Sequence, residues 1–331
     1  MRKVLVTGGA GYVGARLVPE LLGAGYAVSV LDTCWYGADV LDSVAEHPDF
    51  ELVVGDIRDR DAVARSLTGV TDVLHLACIS NDPSYDLDPD LGRSINRHAF
   101  EPLVRMAKDA GASRFIYASS SSVYGVKEEE QVTEDLPLEP LTDYSRYKAE
   151  CEDVLMGARQ DGFAVTVIRP ATVCGASPRQ RMDLTVNILT NHAVNTGVIR
   201  VFGGDQFRPN LHIRDMCRVY LELLAQPTER IDGEVFNVGT DNMTVRAIAD
   251  LVQEIVAKPV EIRIEPTPDN RSYRVSSERI AQRIGFRPEY SVGDAVRELL
   301  DWFAQDRFPG SMEDPKYFNI KRMQELLAER V

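Results

Sequence analysis

Short apolar runs recur along the first half of the chain, and polar or glycine-rich residues follow each of them. These runs have the length and the branched apolar content of buried strands; they are Lys3–Thr7, Ala27–Leu31, Phe50–Val54, Val73–Ala77 and Arg114–Ala118. Helical stretches, such as residues 60–68 and 91–110, alternate with the strands. This alternation predicts an α/β fold built on a doubly wound parallel sheet.

A glycine-rich turn lies between the first predicted strand and the first predicted helix. It carries Gly8, Gly11 and Gly14, and glycine permits both a tight turn and close approach of the backbone to a pyrophosphate. The amides and the positive dipole end of the following helix favour phosphate at the same place. Asp32 ends the second strand, where an acid accepts from adenosine ribose hydroxyls, and no basic residue follows it at once. The turn therefore predicts a dinucleotide site that favours NAD over NADP.

Tyr144 and Lys148 stand about one helical turn apart, so both side chains lie on one face of a predicted helix. Tyrosine is a poor base at neutral pH because its ordinary pKa is near ~10. A nearby ammonium group favours the phenolate and lowers that pKa. The pair predicts a proton acceptor for a sugar or steroid hydroxyl. Tyr317 and Lys321 have the same spacing, and we interpret them as ordinary residues of a C-terminal helix, because a serine cluster precedes only the first pair closely.

Composition excludes several classes of protein. The net charge of -14 over 331 residues argues against nucleic acid as a partner, although a local arginine cluster can still bind an anionic substrate. No apolar run approaches the ~20 residues of a membrane helix, and the N-terminus is too short in apolar length for a signal peptide. The histidines show no metal spacing. The cysteines are scattered and form no CxxC motif, which indicates free thiols in a reducing compartment. We expect a soluble, cytoplasmic protein without a metal site.

Taken together, these motifs resemble the extended short-chain dehydrogenase/reductase family, the NAD-dependent sugar-nucleotide epimerases and dehydratases. Thr7 and the three glycines match the family's TGxxGxxG motif, and Asn96 matches an asparagine that supports the active site. Ser120 stands four residues before Tyr124 of a Val-Tyr-Gly motif and aligns with the catalytic Ser or Thr. The catalytic residues implied by this resemblance are Ser120, Tyr144 and Lys148. The implied cofactor-binding residues are Gly8, Gly11, Tyr12, Val13, Gly14, Asp32, Asp56, Ile57, Leu76, Ala77, Tyr144 and Lys148.

The second half of the chain extends the resemblance toward a nucleotide-sugar substrate. Residues 168–175 resemble the family's R-x-x-N-x-Y-G segment, with Thr172 in place of the asparagine and Cys174 in place of the tyrosine. Residues 201–208 and 270–273 resemble two segments whose arginines grip the substrate pyrophosphate, a task that suits the planar guanidinium. The implied substrate-binding residues are Ser80, Asn81, Thr172, Arg208 and Arg271. Whether Arg179 or Arg181 touches the substrate stays open, as does the role of Cys78.

The chemistry implied by the resemblance begins with oxidation of a sugar at C4. Tyr144 takes a proton from O4, Ser120 hydrogen-bonds that oxygen, Lys148 binds the nicotinamide ribose, and NAD accepts hydride. Family 4,6-dehydratases carry Asp-Glu after the catalytic Thr, whereas this chain has Ser121 and Ser122. A 4-epimerase needs no further acid, so we predict a nucleotide-sugar 4-epimerase. A C4 dehydrogenase or ketosugar reductase and another epimerase or dehydratase of the family remain alternatives, while an NAD-sensing regulator is disfavoured by the Tyr–Lys pair.

The resemblance also implies an architecture and a quaternary state. We expect an NAD-binding domain from residues 1–168 with a return near 210–240, and a smaller nucleotide-sugar-binding domain from residues 169–209 and 241–331. The helices near 91–110 and 144–159 form the dimer interface in relatives, so a homodimer is expected.

Overall fold

The computed structural model of the protein describes residues 1–267 and 272–329. Its strands, in chain order, are β1 (Lys3–Thr7), β2 (Ala27–Asp32), β3 (Phe50–Val54), β4 (Asp72–His75), β5 (Arg114–Ala118), β6 (Ala164–Pro170), β7 (Thr172–Cys174), β8 (Val198–Phe202), β9 (Phe207–His212), β10 (Glu234–Val238), β11 (Asp241–Thr244) and β12 (Glu261–Glu265).

Its helices are α1 (Gly14–Gly23), α2 (Arg60–Ser66), α3 (Asp82–Tyr85), α4 (Pro89–Arg93), α5 (Phe100–Asp109), α6 (Asp143–Gly157), α7 (Thr185–Thr196), α8 (Ile213–Ala225), α9 (Thr228–Ile231), α10 (Val245–Val256), α11 (Glu278–Ile284), α12 (Val292–Ala304) and α13 (Asn319–Ala328). A π-helical turn (Ser94–His98) joins α4 to α5, and short 3-10 turns occupy Asp39–Val44, Ser121–Tyr124 and Pro315–Tyr317.

The main sheet has seven parallel strands in the order β10-β6-β5-β4-β1-β2-β3. The predicted doubly wound α/β fold is therefore confirmed. The chain leaves β1 in one direction for β2 and β3 and in the other for β4, so the strand order reverses between β1 and β4. A crevice opens at the carboxyl ends of the strands at such a reversal, and ligands bind there in open α/β sheets.

The apolar run of β1 is continuous because both faces of the sheet are covered. Alternate side chains of a strand point to opposite faces. Val4 and Val6 pack in one cluster with α1 and α8, whereas Leu5 packs in another with α2 and α5. All three side chains are fully buried. This two-sided burial is typical of a parallel sheet between helical layers.

The C-terminal part contributes smaller sheets and a core of its own. β11, β9 and β7 form a three-stranded sheet, and β12 pairs with β8 in parallel. Apolar side chains of α7, α10 and α12 pack on β8 in a separate cluster. β10 returns to the main sheet beside β6. This arrangement places a smaller layer over the carboxyl end of the sheet, while the domain boundaries themselves stay a prediction.

Two local predictions differ from the structure. The strand predicted at Val73–Ala77 is Asp72–His75, because β1 ends at Thr7 and the amide of Ala77 is in hydrogen-bond range of the Thr7 hydroxyl (3.4 Å). The second prediction, that Tyr317 and Lys321 share a helix, is wrong. Asp314 caps a 3-10 turn that ends at Tyr317, and α13 begins only at Asn319.

Candidate active site

The glycine turn after β1 is shaped by two close backbone contacts. Gly8 has φ of +78°, and a β-carbon there would lie 2.7 Å from the nitrogen of Ala77. A β-carbon on Gly14 would lie 2.4 Å from the carbonyl oxygen of Gly8. Neither contact can relax by a side-chain movement, because both partners are backbone atoms. No side chain caps the start of α1 and no acid lies in its first turn, so its first amides are suited to a phosphate.

Asp32 lies beside this turn at the end of β2. One carboxylate oxygen accepts from the amide of Ala10 (3.0 Å) and the other accepts from the amide of Cys34 (2.8 Å). Burial raises the pKa of Asp32, and these two amides oppose the rise. The carboxylate is thus held at the rim of the cleft with lone pairs left for ribose hydroxyls.

A single cleft of about 690 Å³ collects the predicted residues. Its size is within the ~300–1,000 Å³ typical of ligand pockets. Every residue predicted for catalysis and, within the described ranges, every one predicted for cofactor or substrate lines it: Gly8, Gly11, Tyr12, Val13, Gly14, Asp32, Asp56, Ile57, Leu76, Ala77, Ser80, Asn81, Ser120, Tyr144, Lys148, Thr172 and Arg208. Arg271 lies outside the described residues.

Asp56, one of the residues predicted to bind the cofactor, is already held by a neighbouring arginine. Arg58 donates through Nη2 to one carboxylate oxygen (2.6 Å) and through Nε to the other (2.9 Å). Arg58 also donates to the hydroxyl of Ser94 (2.9 Å), at the start of the π-helical turn. The carboxylate is therefore oriented by the protein at one end of the cleft.

Tyr144 lies in the first turn of α6, because Thr142 accepts from the amide of Ser145 (3.2 Å) and starts the helix there. Lys148 is buried one turn later and donates to the carbonyl of Ala118 (2.6 Å). Its Nζ lies 5.9 Å from the centroid of the Tyr144 ring. The helix thus brings both side chains to the cleft, and the end of β5 fixes the ammonium group.

The ionisation of Tyr144 differs from the expectation. Burial raises the pKa of Tyr144 above its ordinary value, and the negative potentials of Cys78 and Asp82 add to the rise. The charge of Arg181 and a hydrogen bond with Ser120 lower that pKa, but by less than burial raises it. The prediction of a lowered pKa is therefore wrong for the protein chain by itself.

A chain of hydroxyls connects Ser120 with a carboxylate at the cleft wall. The hydroxyls of Ser120 and Ser122 are 2.9 Å apart, and Ser145 lies 2.9 Å from Ser122. Thr142 lies 3.0 Å from Ser145 and donates to Asp82 (2.6 Å). The four hydroxyls and the carboxylate therefore form a continuous row of hydrogen-bonded oxygens. Such a row of hydroxyls is able to pass a proton between the cleft and Asp82.

Asn96 supports the loop that follows β4. Its side-chain oxygen accepts from the amide of Ile79 (2.8 Å) and its Nδ2 donates to the carbonyl of Ile79 (2.9 Å). Asn96 lies in the π-helical turn, a feature frequent at functional sites. The two hydrogen bonds fix the backbone between Cys78 and Ser80, both of which line the cleft.

The two arginines left open by the sequence, Arg179 and Arg181, also line the cleft. Arg181 donates to Asp183 (2.9 Å) and lies 3.3 Å from the hydroxyl of Ser80. Arg179 stacks on the ring of Tyr36, with 3.6 Å between the guanidinium carbon and the ring centroid. Both side chains are buried.

Residues 1–267 and 272–329 hold no group of three or more His, Cys, Asp or Glu side chains that fits a metal. Within the same part of the chain, no helix combines the length and the apolar character needed to cross a bilayer. His75 lies in β4, where its ring nitrogen bonds to the hydroxyl of Thr7 (2.7 Å), and burial lowers its pKa to about 3.

Comparison with known proteins decides the family. A profile of the NAD dependent epimerase/dehydratase family matches residues 4–239. The chain is 30% identical to a dTDP-glucose 4,6-dehydratase of Streptomyces griseus, with 92% of this chain and 94% of that protein covered. The chain belongs to the NAD-dependent epimerase/dehydratase family. The predicted resemblance is thus confirmed, and NAD is the cofactor.

Solved structures of both reaction types are similar to this member of the family. The dTDP-glucose 4,6-dehydratase DesIV of Streptomyces venezuelae, crystallised with NAD, has a TM-score of 0.84 and 27% identity and covers 95% of this chain and 99% of its own. A UDP-glucuronic acid 4-epimerase of Bacillus cereus, crystallised with UDP-glucuronic acid and NAD, has a TM-score of 0.83 and 25% identity, with 92% and 99% covered. Family membership therefore leaves epimerisation and dehydration both open.

The cleft of this epimerase/dehydratase family member fits NAD. The uncapped start of α1 is suited to the diphosphate, and a side chain at Gly11 would enter the turn, because its β-carbon would lie 3.1 Å from the carbonyl oxygen of Gly8. The roles predicted for Asp32 at the adenosine ribose and for Lys148 at the nicotinamide ribose stay predictions, and both residues line the cleft. The sequence interpretation missed Tyr36, Asn319 and the linked hydroxyls of Thr142 and Ser145. Thr142 had a local signal, since a threonine before a helix is a typical N-cap, whereas Tyr36 and Asn319 had none.

Proposed function

We propose that the protein is an NAD-dependent nucleotide-sugar 4-epimerase that acts through a transient 4-keto sugar. One observation carries the choice: hydroxyls stand where the family dehydratases carry Asp and Glu. Ser121 is buried, 3.2 Å from the hydroxyl of Tyr273, and Ser122 is held between Ser120 and Ser145. Neither hydroxyl is an acid strong enough for elimination of water, whereas epimerisation at C4 requires only oxidation, rotation and reduction.

The proposed proton chemistry belongs to Tyr144 and Ser120. Tyr144 accepts the proton of O4 as general base and gives it back as general acid. Ser120 donates to the same oxygen and keeps it in line with the tyrosine. When bound, NAD supplies the reversible hydride acceptor for C4 and a positive ring that favours the phenolate.

Lys148 has a positioning role in this proposal. One of its three N–H groups is used by the carbonyl of Ala118. The other two are left for the ribose hydroxyls of the cofactor. Because the ammonium is buried and fixed, its charge lies at a constant distance from Tyr144 through both half-reactions.

A second function, a C4 dehydrogenase or ketosugar reductase, is favoured by a specific observation. The hydroxyl chain from Ser120 ends at Asp82, whose side chain is half-buried. A reaction that stops at the ketone must release one proton, and this chain offers a route for it. An epimerase returns the proton to O4 and does not need the route.

We further propose a homodimer formed through α5 and α6. These helices pack side by side, and a shallow groove between them is lined by Glu101, Val104, Arg105 and Asp153, among others. Paired helices with both apolar and charged positions are suited to packing on a second copy related by two-fold symmetry. Light scattering during gel filtration tests this: a monomer mass at micromolar concentration would refute it.

Product analysis tests the proposed reaction. The purified protein is incubated with UDP-, dTDP-, GDP- and CDP-linked hexoses and hexuronic acids, and the products are separated and weighed. A 4-epimerase gives a product of unchanged mass and no net reduced cofactor. A product lighter by one water, or reduced NAD in step with product, would contradict the proposal. The Tyr144→Phe variant provides the background.

A further inference from the structure

A buried pair of arginines has no assigned task in the reaction. Arg179 and Arg181 lie on the segment between β7 and α7 and are 4% and 9% exposed. Nε of Arg179 and Nη2 of Arg181 are buried and have no hydrogen-bond partner. Their other contacts are fixed: Arg179 donates to Asn319 and stacks on Tyr36, while Arg181 donates to Asp183.

The charges around the pair do not balance. Two guanidinium groups share one nearby carboxylate, because Asp183 is the only carboxylate that bonds either of them within the described ranges. Burial acts to raise the pKa of Asp183, but Arg181 brings it below its ordinary value. Burial lowers the pKa of Arg179 to about 10, and the charge of Arg181 adds to that fall. A buried cation with unused donors is unfavourable unless an anion completes the site.

The segment that carries the pair is bonded directly to the glycine turn. Tyr12 donates through its hydroxyl to the carbonyl of Gly175 (2.7 Å), and Ser177 donates to the carbonyl of Tyr12 (2.7 Å). Asn187 donates to the carbonyl of Arg181 (2.8 Å) and lies 3.1 Å from the Tyr12 hydroxyl. The arginines therefore lie on the side of the cleft that faces the uncapped start of α1.

The pair also connects the surroundings of Asp32 with those of Tyr144, the residues predicted to lie near the two riboses of NAD. Arg179 stacks on Tyr36, four residues beyond Asp32, and its positive charge acts to lower the pKa of Asp32. Arg181 contacts Ser80 beyond the end of β4, and its positive charge acts to lower the pKa of Tyr144. The part of NAD that lies between its two riboses is the diphosphate, which carries two negative charges. Two guanidiniums match that charge, and their planar donors match phosphate oxygens.

We propose that Arg179 and Arg181 form a second phosphate clamp, which binds the diphosphate of NAD opposite the glycine turn and holds NAD as a resident cofactor. The segment that carries the arginines is also hydrogen-bonded to the starts of α13 and α3. Asp183 accepts from the amide of Asn319 (3.0 Å) and from Nδ2 of Asn81 (3.3 Å). The clamp rests on the NAD dependence of the family and not on the identity of the reaction.

A ligand series on the cofactor-stripped protein tests the clamp. Dissociation constants are measured calorimetrically for adenosine, ADP, ADP-ribose and NAD with wild type, Arg179→Met and Arg181→Met. Each substitution should raise the dissociation constants of ADP and NAD by about ten-fold or more, because charge-assisted bonds are lost. The dissociation constant of adenosine should stay within about two-fold of the wild-type value. The NAD that co-purifies with each variant, quantified after denaturation, should fall in parallel.

Arg208→Met is the matched control, because it removes an arginine from the same cleft on the substrate side. It should weaken the binding of whichever of UDP, dTDP, GDP and CDP binds to the wild type, and leave the binding of ADP and NAD unchanged. An equal loss for adenosine and ADP in the Arg179 and Arg181 variants would overturn the clamp and make the pair part of the core. If NAD binding is unchanged in these variants while the binding of UDP-glucuronic acid or UDP-glucose is weakened, the clamp is also overturned and the pair is assigned to the substrate.

Lysine variants keep the test decisive if the methionine variants do not fold. Arg179→Lys and Arg181→Lys retain the charge but lose the planar fork, so the ratio of ADP to adenosine affinity should fall by about three-fold or more. An unchanged ratio in both lysine variants would overturn the proposal. A failure of the 4-epimerase assay has no bearing on these ratios, so the two proposals fail separately.

Discussion

Two tyrosine–lysine pairs with the same spacing lie in this chain, and the fold gives them different surroundings. Tyr144 and Lys148 lie on α6, beside the serine cluster and in the cleft. Tyr317 ends a 3-10 turn and is buried among the apolar side chains that include Phe308 and Leu299. Among the described residues, neither Tyr317 nor Lys321 lines the cleft. Spacing alone therefore predicts no catalysis; the neighbouring strand ends decide which pair is able to act.

The lysines differ for the same reason. Lys148 is buried at the end of β5, where the carbonyl of Ala118 fixes its Nζ. Lys321 lies 4.1 Å above the ring of Phe318 and reaches the carbonyls of Met312 and Glu313 at 3.4 Å each. Lys148 is thus fixed in the cleft beside Tyr144, whereas Lys321 bonds to two backbone carbonyls away from the cleft.

The largest expected difference between the pairs is in turnover. Tyr144→Phe keeps the ring but removes the proton acceptor, so turnover should fall by the ~10²–10⁴-fold that general base catalysis supplies. Tyr317→Phe should leave turnover near wild type, because Tyr317 does not line the cleft. Steady-state rates with a nucleotide sugar that turns over check both variants. Loss of activity in Tyr317→Phe but not in Tyr144→Phe would reverse the assignment.

A smaller difference is expected for the lysines. Lys148→Met should raise the dissociation constant of NAD by about ten-fold, because the charge-assisted bonds proposed to the ribose are lost. Lys321→Met should leave that dissociation constant unchanged. The sign of the pH effect follows from burial, which raises the pKa of Tyr144. Activity requires the phenolate, so the rate should rise with pH, and loss of the Lys148 charge should move that rise to higher pH. Titration calorimetry and pH–rate profiles measure both effects.

The smallest expected effect concerns the row of hydroxyls from Ser120 to Asp82, which lies beside Tyr144 of the first pair. Ser122→Ala interrupts the path from Ser120 to Asp82 while leaving Tyr144 in place. An epimerase returns its proton locally, so turnover should fall by less than about five-fold, well under the effect of removing the base. A fall as large as that of Tyr144→Phe would support the dehydrogenase alternative. Ser121→Ala, on the neighbouring hydroxyl, provides the comparison.

Features that depend on local backbone geometry were predictable from the sequence. The glycine turn, Asp32 at the end of β2 and the Tyr144–Lys148 spacing each follow from residues close together in the chain. The main sheet was predictable because two-sided burial produces continuous apolar runs. The helix over Tyr317 was predicted wrongly. Asp314 and Pro315 favour a short 3-10 turn that ends at Tyr317, and α13 begins only after it.

Features that depend on distant residues were not predictable. Thr142 meets Asp82 across 60 positions of sequence, and Arg179 meets Asn319 across 140. No periodicity reports such pairings, because they arise from the packing of separate segments over the sheet. The raised pKa of Tyr144 belongs to the same class: a charge on the same helix is visible in the sequence, whereas burial by other segments is not.

The most direct test of the 4-epimerase is the fate of the hydrogen on C4. A nucleotide sugar that turns over is supplied with deuterium at C4, in ordinary water, and the product is examined by proton NMR. The account predicts that deuterium stays on C4 of the epimer and that C5 does not exchange with solvent. Deuterium transferred to C6 with solvent hydrogen at C5, or deuterium lost into free reduced NAD, would contradict the 4-epimerase.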